Sequence, residues 1–191
     1  MLKTQSQRAL PAVLAISFIM TFALAAGYYF SKSLFVLALS LTSFFFAFLG
    51  LIHYATITSE NINLDFSKQM EQSQKKFVLL DAIVIILFSA AIVVKGIFFS
   101  FATVNFNIAN NYVLAALIVF IVNACLIFFW TNKSCKSLFI RCLIIIAVIC
   151  LKELCRNFVD LSKLDFFTAC FLSVLLLLEA ISLIVKNVRN K

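Results

Sequence analysis

Residues 33–59 read SLFVLALSLTSFFFAFLGLIHYATITS, a run that contains no Asp, Glu, Lys or Arg and is long enough to cross a bilayer. Similar charge-free runs occupy residues 9–31 and 96–132. None of them alternates apolar and polar residues as the strands of a transmembrane barrel do. Because a segment in hydrocarbon must satisfy its own backbone hydrogen bonds, the three runs predict helices.

The composition of the whole chain points to the same class. Apolar residues make up 64% of the 191 residues, charged residues make up 13%, and the mean hydropathy is +1.10. A charged share about half the usual one indicates that no soluble domain of this size is present. We therefore predict an all-α membrane protein, a six-transmembrane-helix bundle, as a single domain over residues 1–191.

The apolar runs divide into six predicted spans. They lie at residues 9–30, 34–56, 77–99, 112–132, 137–158 and 166–187. The run at 96–132 is too long for one span, and its Asn-rich segment at 105–111 favours a turn. Residues 58–76 form the one substantial connector, which is too short for a soluble domain.

Orientation follows from Lys and Arg, which are retained on the cytoplasmic side of a membrane. One face of the predicted bundle carries Lys3, Arg8, Lys68, Lys75, Lys76, Lys133, Lys136, Lys186, Arg189 and Lys191. The other carries Lys32, Lys163 and the boundary pair Lys152 and Arg156. We therefore expect both termini in the cytoplasm, with a bacterial inner membrane as the location.

The net charge of +8 is then explained by retention of the basic segments on the cytoplasmic side and by attraction of these segments to anionic lipid. The lipid bilayer is the expected partner, and a homodimer or a membrane-protein partner stays open. Nucleic acid is excluded, because binding it requires a soluble surface.

The first helix has an alternative interpretation as a cleaved signal peptide. Lys3 and Arg8 precede an apolar stretch, and Ala23-Leu24-Ala25 resembles a cleavage site. We favour a retained span because the apolar stretch continues through Phe30, which is full membrane thickness.

Ionisable and polar residues inside the predicted spans are the candidates for function, because a charge near the bilayer centre is costly unless it is paired or hydrated. The candidate inner polar cluster consists of Asp81, Arg141, Glu179, His53 and Asn123. One interpretation is a polar cavity, open to the cytoplasm, that binds a cation or passes a proton. The alternative is structural: Asp81 pairs with Arg141, and Glu179 is protonated or hydrogen-bonded to a neighbour.

Other polar and small residues are interpreted structurally. Lys152, Glu153, Arg156 and Asp160 are spaced for snorkelling and local ion pairs at the end of the fifth helix. Ser17, Thr21, Ala25, Ser43 and Ala47 mark faces where backbones approach closely. The six cysteines contain no CxxC pair and are read as small apolar residues; they are Cys125, Cys135, Cys142, Cys150, Cys155 and Cys170.

Two short stretches resemble a known family. Gly27 followed by Ser31-Lys32-Ser33-Leu34-Phe35-Val36-Leu37-Ala38 is similar to the segment entering the second helix of the cation diffusion facilitators. Leu164-Asp165-Phe166 and the basic end at 186–191 resemble the sixth helix of that family. The resemblance implies six helices, cytoplasmic termini and cation efflux.

The metal ligands that the resemblance implies are missing. The family places paired His or Asp ligands on the second and fifth helices, where this chain has Thr42 and Phe46, and Ile144 and Val148. Phe, Ile and Val cannot bind a metal, so we predict no zinc site and no cofactor. A packed, apolar core is expected at these four residues.

Two functions remain. The first is a small transport-like membrane protein that moves a cation, a proton or a small solute. The second is a non-transporting accessory or structural membrane protein that packs on partners. No recognisable catalytic constellation is present, so we do not predict an enzyme.

Overall fold

The charge-free runs are helical over most of their described residues in the computed structural model, which describes residues 2–59, 64–99, 104–130 and 136–189. Within those ranges the chain is all-α and contains six helices. They are α1 (Leu2–Ser31), α2 (Leu34–Ser59), α3 (Leu64–Phe99), α4 (Phe106–Trp130), α5 (Lys136–Cys155) and α6 (Leu161–Arg189).

Four of the helices contain segments that are long and apolar enough to cross a membrane. These segments are Leu10–Ser31, Leu34–Ile52, Phe106–Phe128 and Leu161–Ser182. In α3 the apolar segment is the shorter Ala82–Phe98. Charged residues interrupt the apolar character of α5, which has only 20 residues.

Helix α2 is central to the packing. It contacts α1, α3 and α6, while α1 also packs on α4 and α3 also packs on α6. The larger core cluster includes Phe35, Leu39, Phe120 and Ile149. A smaller cluster joins α2, α3 and α6 through Phe45, Ala82, Ile85, Leu176 and Ala180.

Small polar residues hold α1 against α2, as the sequence pattern indicates. The Ser43 hydroxyl donates to the Ser17 carbonyl at 3.0 Å, and the Ser40 hydroxyl donates to the Thr21 carbonyl at 3.0 Å. Buried hydroxyl groups are satisfied in this way without a charged partner. The small-residue face is thus used within the chain.

The prediction of a loop at residues 58–76 is wrong for most of that segment. Helix α2 continues to Ser59 and α3 begins at Leu64, and residues 60–63 lie outside the described ranges. Residues 64–76 are rich in Lys, Gln and Glu, which form helices well when exposed to water. Their polarity predicts a position outside hydrocarbon, but it does not predict the absence of helix.

Two side chains set helix starts near residues 105 and 160. The Asn105 carboxamide oxygen accepts the Ile108 N–H at 3.3 Å, and an Asp160 carboxylate oxygen accepts the Ser162 N–H at 2.9 Å. Both are N-cap bonds, which satisfy donors of the first helical turn. The break predicted in the Asn-rich segment therefore falls at Asn105, and Asn107, Asn110 and Asn111 are helical.

Candidate functional site: a cavity beside an Arg–Glu pair

A cavity of about 220 Å³ lies between α2, α5 and α6. Its lining is apolar except for one hydroxyl and two charged side chains. The lining residues are Thr42, Phe45, Phe46, Arg141, Ile144, Ile145, Leu172, Leu175, Leu176 and Glu179.

The cavity exists because α5 is held from one side. Helix α5 packs firmly on α4 but contacts α6 only sparsely, whereas α2 and α6 contact each other directly. Ile144, on the side of α5 toward the cavity, is 45% exposed. The cavity is therefore open along the gap between α5 and α6.

Arg141 and Glu179 form an ion pair in the cavity wall. The distance between Arg141 Nη2 and Glu179 Oε1 is 2.5 Å, and the guanidinium lies 5.6 Å from the centre of the Phe45 ring. The side chains are 20% and 27% exposed. Arg141 Nη1 is buried and has no hydrogen-bond partner among the described residues.

The structure brings together two members of the predicted inner polar cluster, Arg141 and Glu179. Asn123 lies between α4 and α1, away from the cavity. Its side-chain amide donates a hydrogen bond to the Ser17 hydroxyl at 3.0 Å. The side chains of Asp81 and His53 lie outside the described residues. Pairing of Asp81 with Arg141 stays a prediction, and Glu179 is the partner of Arg141 that the structure describes.

The predicted packed, apolar core is wrong at one of its four positions. Thr42, Phe46 and Val148 are buried, but Ile144 is half-exposed. Thr42, Phe46 and Ile144 all line the cavity. Three of the four residues that the resemblance aligns with metal ligands therefore line a space beside two charges, and Val148 is buried outside that lining.

A second polar site joins α2, α5 and α6 near Ser31. Lys152 Nζ lies 3.1 Å from Asp165 Oδ1, and these residues are only 7% and 2% exposed. Asp165 also accepts hydrogen bonds from the Ser33 hydroxyl at 2.7 Å and from the Phe35 N–H at 3.3 Å. Assignment of Lys152 to snorkelling is thus wrong.

The sequence contained a signal for this second site. Ser33 and Asp165 belong to the two stretches that carry the family resemblance, and the fold brings these stretches into contact. The other residues assigned to the helix end fit the prediction better. Arg156 and Glu153 form a partly exposed local pair at 3.6 Å, and Asp160 caps α6.

The described residues offer little to hold a metal ion. No group of three His, Cys, Asp or Glu side chains comes together within the described ranges. The five described cysteines are free, and Cys135 lies outside those ranges. The polar chemistry of the cavity is that of a guanidinium, a carboxylate and a hydroxyl.

Over the part of the chain that the structure describes, the protein is all-α and has four apolar segments of membrane-spanning length. No protein-family model matches the chain, and no curated protein matches it.

Proposed function

We propose that this chain is a small multi-pass membrane protein of the transport type, with six spans, cytoplasmic termini and a solute site in the cavity between α2, α5 and α6. The observation that best supports this proposal is the ion pair of Arg141 and Glu179 in the wall of an otherwise apolar cavity. Charges inside membrane segments are rare and usually face an interior site. In many proteins, a buried ion pair that serves only structure can be replaced by apolar residues of similar volume without loss of stability. The presence of a charged pair here therefore favours a role in binding.

Six spans are supported by how the charges of α5 are paired. Arg141 contacts Glu179 at one end of α5, and Lys152 contacts Asp165 at the other. Pairing reduces the free energy needed to place these charges in hydrocarbon. Helix α5 also connects α4 to α6, which both contain long apolar segments.

A retained first helix is part of the proposal. Leu10, Val13, Met20 and Leu24 of α1 belong to the main core cluster. Cleavage after Ala25 would remove these side chains and expose the faces of α2 and α4 that they cover. The proposal therefore favours the span over the cleaved signal peptide.

Arg141 narrows the solute classes. A guanidinium in the cavity wall repels a cation, unless Glu179 leaves the pair to bind it. Thr42, Phe46 and Ile144 supply no metal-binding nitrogen, sulfur or carboxylate oxygen. The family resemblance is thus carried over as architecture and transport, without its metal.

Flux into sealed vesicles that contain only this protein tests the proposal. The panel consists of protons, a monovalent cation, a divalent cation and small carboxylates. We expect flux of at least one solute above that of protein-free vesicles, reduced about tenfold or more in Glu179→Gln because a charged hydrogen bond is lost. Glu153→Gln is the matched control, since Glu153 lies outside the cavity lining, and it should retain the flux.

The competing function is that of a non-transporting accessory protein. Absence of flux for the whole panel, together with stable co-purification of a membrane partner, would establish that alternative. The small residues Ser17, Thr21, Ser40 and Ser43 do not support it, because their hydroxyl and carbonyl groups join α1 to α2 within the chain.

A further inference from the structure

The two terminal nitrogens of the Arg141 guanidinium differ in their contacts among the described residues. Nη2 contacts Glu179, while Nη1 is buried and has no hydrogen-bond partner among the described residues. A buried donor without an acceptor is costly, and a charged donor more so. A guanidinium carries five N–H donors in a planar fork and can bridge two carboxylates. Nη1 is therefore placed to donate a hydrogen bond to an acceptor atom of a ligand.

The rest of the cavity favours an apolar body for that ligand. Phe46, Ile145 and Leu172 contribute hydrocarbon to its wall. The one hydroxyl there, on Thr42, donates to the Ala38 carbonyl at 2.7 Å and is not free to donate to a ligand. The volume of about 220 Å³ exceeds the roughly 150 Å³ of an apolar protein cavity that binds benzene.

The open side of the cavity indicates the route of access. The gap between α5 and α6 exposes nearly half of Ile144 and about a quarter of Glu179. In a bilayer, a gap between two adjacent outer helices faces acyl chains. A charged pair facing that medium is favoured when a polar head group covers it.

We propose that the cavity binds a single-chain anionic amphiphile, a medium-chain fatty acid, which enters from the bilayer between α5 and α6. Its carboxylate accepts hydrogen bonds from Arg141 Nη1, and its chain lies along Phe46, Ile145 and Leu172. This inference rests on the proposed function, because it takes the cavity as the solute site.

The test is photolabelling of the full chain in phosphatidylcholine nanodiscs. The probe is a medium-chain fatty acid with a diazirine at the end of its chain, and labelled residues are located by peptide mass spectrometry. We expect adducts on α6 near Leu172, which lies seven residues before Glu179 and therefore about 10 Å from the head group along the helix. Unlabelled fatty acid should compete about tenfold or more better than its methyl ester, because only the acid offers a charged acceptor.

Two variants test the head group and the chain separately. Arg141→Gln should weaken binding about tenfold or more, whereas Arg156→Gln, the same change just after the end of α5 and outside the cavity lining, should not. Ile144→Trp keeps the ion pair, narrows the cavity and should also reduce labelling. This second variant keeps the test valid if Arg141→Gln does not fold.

Several results would overturn the inference. They are equal competition by the methyl ester, equal labelling of the Arg141→Gln and Arg156→Gln variants, or a phospholipid retained in the cavity that fatty acid does not displace. Equilibrium binding needs no transport, so the two proposals fail separately. Specific labelling without flux of either the panel solutes or the fatty acid itself overturns the transport proposal, and flux of another solute without labelling overturns only the ligand class.

Discussion

At the residue scale, the buried contact of Lys152 with Asp165 has a measurable effect on stability. Either single neutralisation, Lys152→Met or Asp165→Asn, should destabilise the protein by about 3–5 kcal/mol, because the remaining charge stays buried without its partner. The double variant should lose clearly less than the sum of the two. Thermal unfolding of the detergent-solubilised protein measures the three values.

The partly exposed pair of Glu153 and Arg156 supplies the control for that cycle. Glu153 lies on α5, Arg156 directly follows the last residue of that helix, and the two charges are 3.6 Å apart. Glu153→Gln should change stability by about 1 kcal/mol or less. Strictly additive losses for Lys152 and Asp165 would show that the two charges are not coupled.

The two ion pairs also show what the sequence predicts about individual residues. Arg141 and Glu179 stand out in apolar helices, so both could be selected as candidates, but their contact depends on how α5 and α6 are rotated. Lys152 and Asp165 lie on different helices, 13 residues apart. Spacing of three or four residues within α5 favoured local pairs instead, and it could not predict that Lys152 points toward α6.

At the element scale, Gly27 of α1 packs directly against the Tyr112 ring of α4. A Cβ atom there would lie 2.6 Å from Tyr112 Cγ and 2.7 Å from Cδ1, in the rigid part of the ring. Gly27→Ala should therefore separate α1 from α4 and destabilise the protein by about 1–3 kcal/mol, as overpacking does. A lower thermal midpoint in detergent is the expected readout.

Gly50→Ala is the matched control for that substitution. The Cβ atom at Gly50 would meet only the Leu14 side chain, with Cδ2 at 2.6 Å at the end of a chain that can rotate away and Cγ at an ordinary 3.7 Å. Alanine is also favoured over glycine in a helix interior by about 1 kcal/mol, which offsets the adjustment. Equal losses for both variants would contradict the close approach of α1 and α4.

The helices themselves were the most predictable part of the fold. Their number and order follow from apolar runs separated by polar segments, and all six are present in the described residues. Their ends were less predictable, because apolarity records the boundary of hydrocarbon and not the boundary of helix. Helix α3 thus begins at Leu64, well before the apolar segment that starts at Ala82.

At the scale of the whole molecule, the number of membrane crossings is a sharp prediction. Lys76, Asn107 and Lys163 are exposed and lie before the apolar part of α3, at the start of α4 and at the start of α6. Six crossings with cytoplasmic termini place Lys76 inside and the other two outside. Each position is replaced singly by Cys in a cysteine-free background, and labelling by a membrane-impermeant maleimide is measured before and after permeabilisation.

Each departure from this pattern identifies a particular helix or an inverted orientation. If α3 does not cross, residues 76 and 107 will be labelled from the same side. If α5 does not cross, residues 107 and 163 will be labelled from opposite sides, because only α4 then separates them. Labelling of residue 76 from outside alone, with the other two protected, would reverse the orientation. The three sites therefore test separately the two helices that lack a long apolar segment, and residue 76 tests the orientation of the bundle.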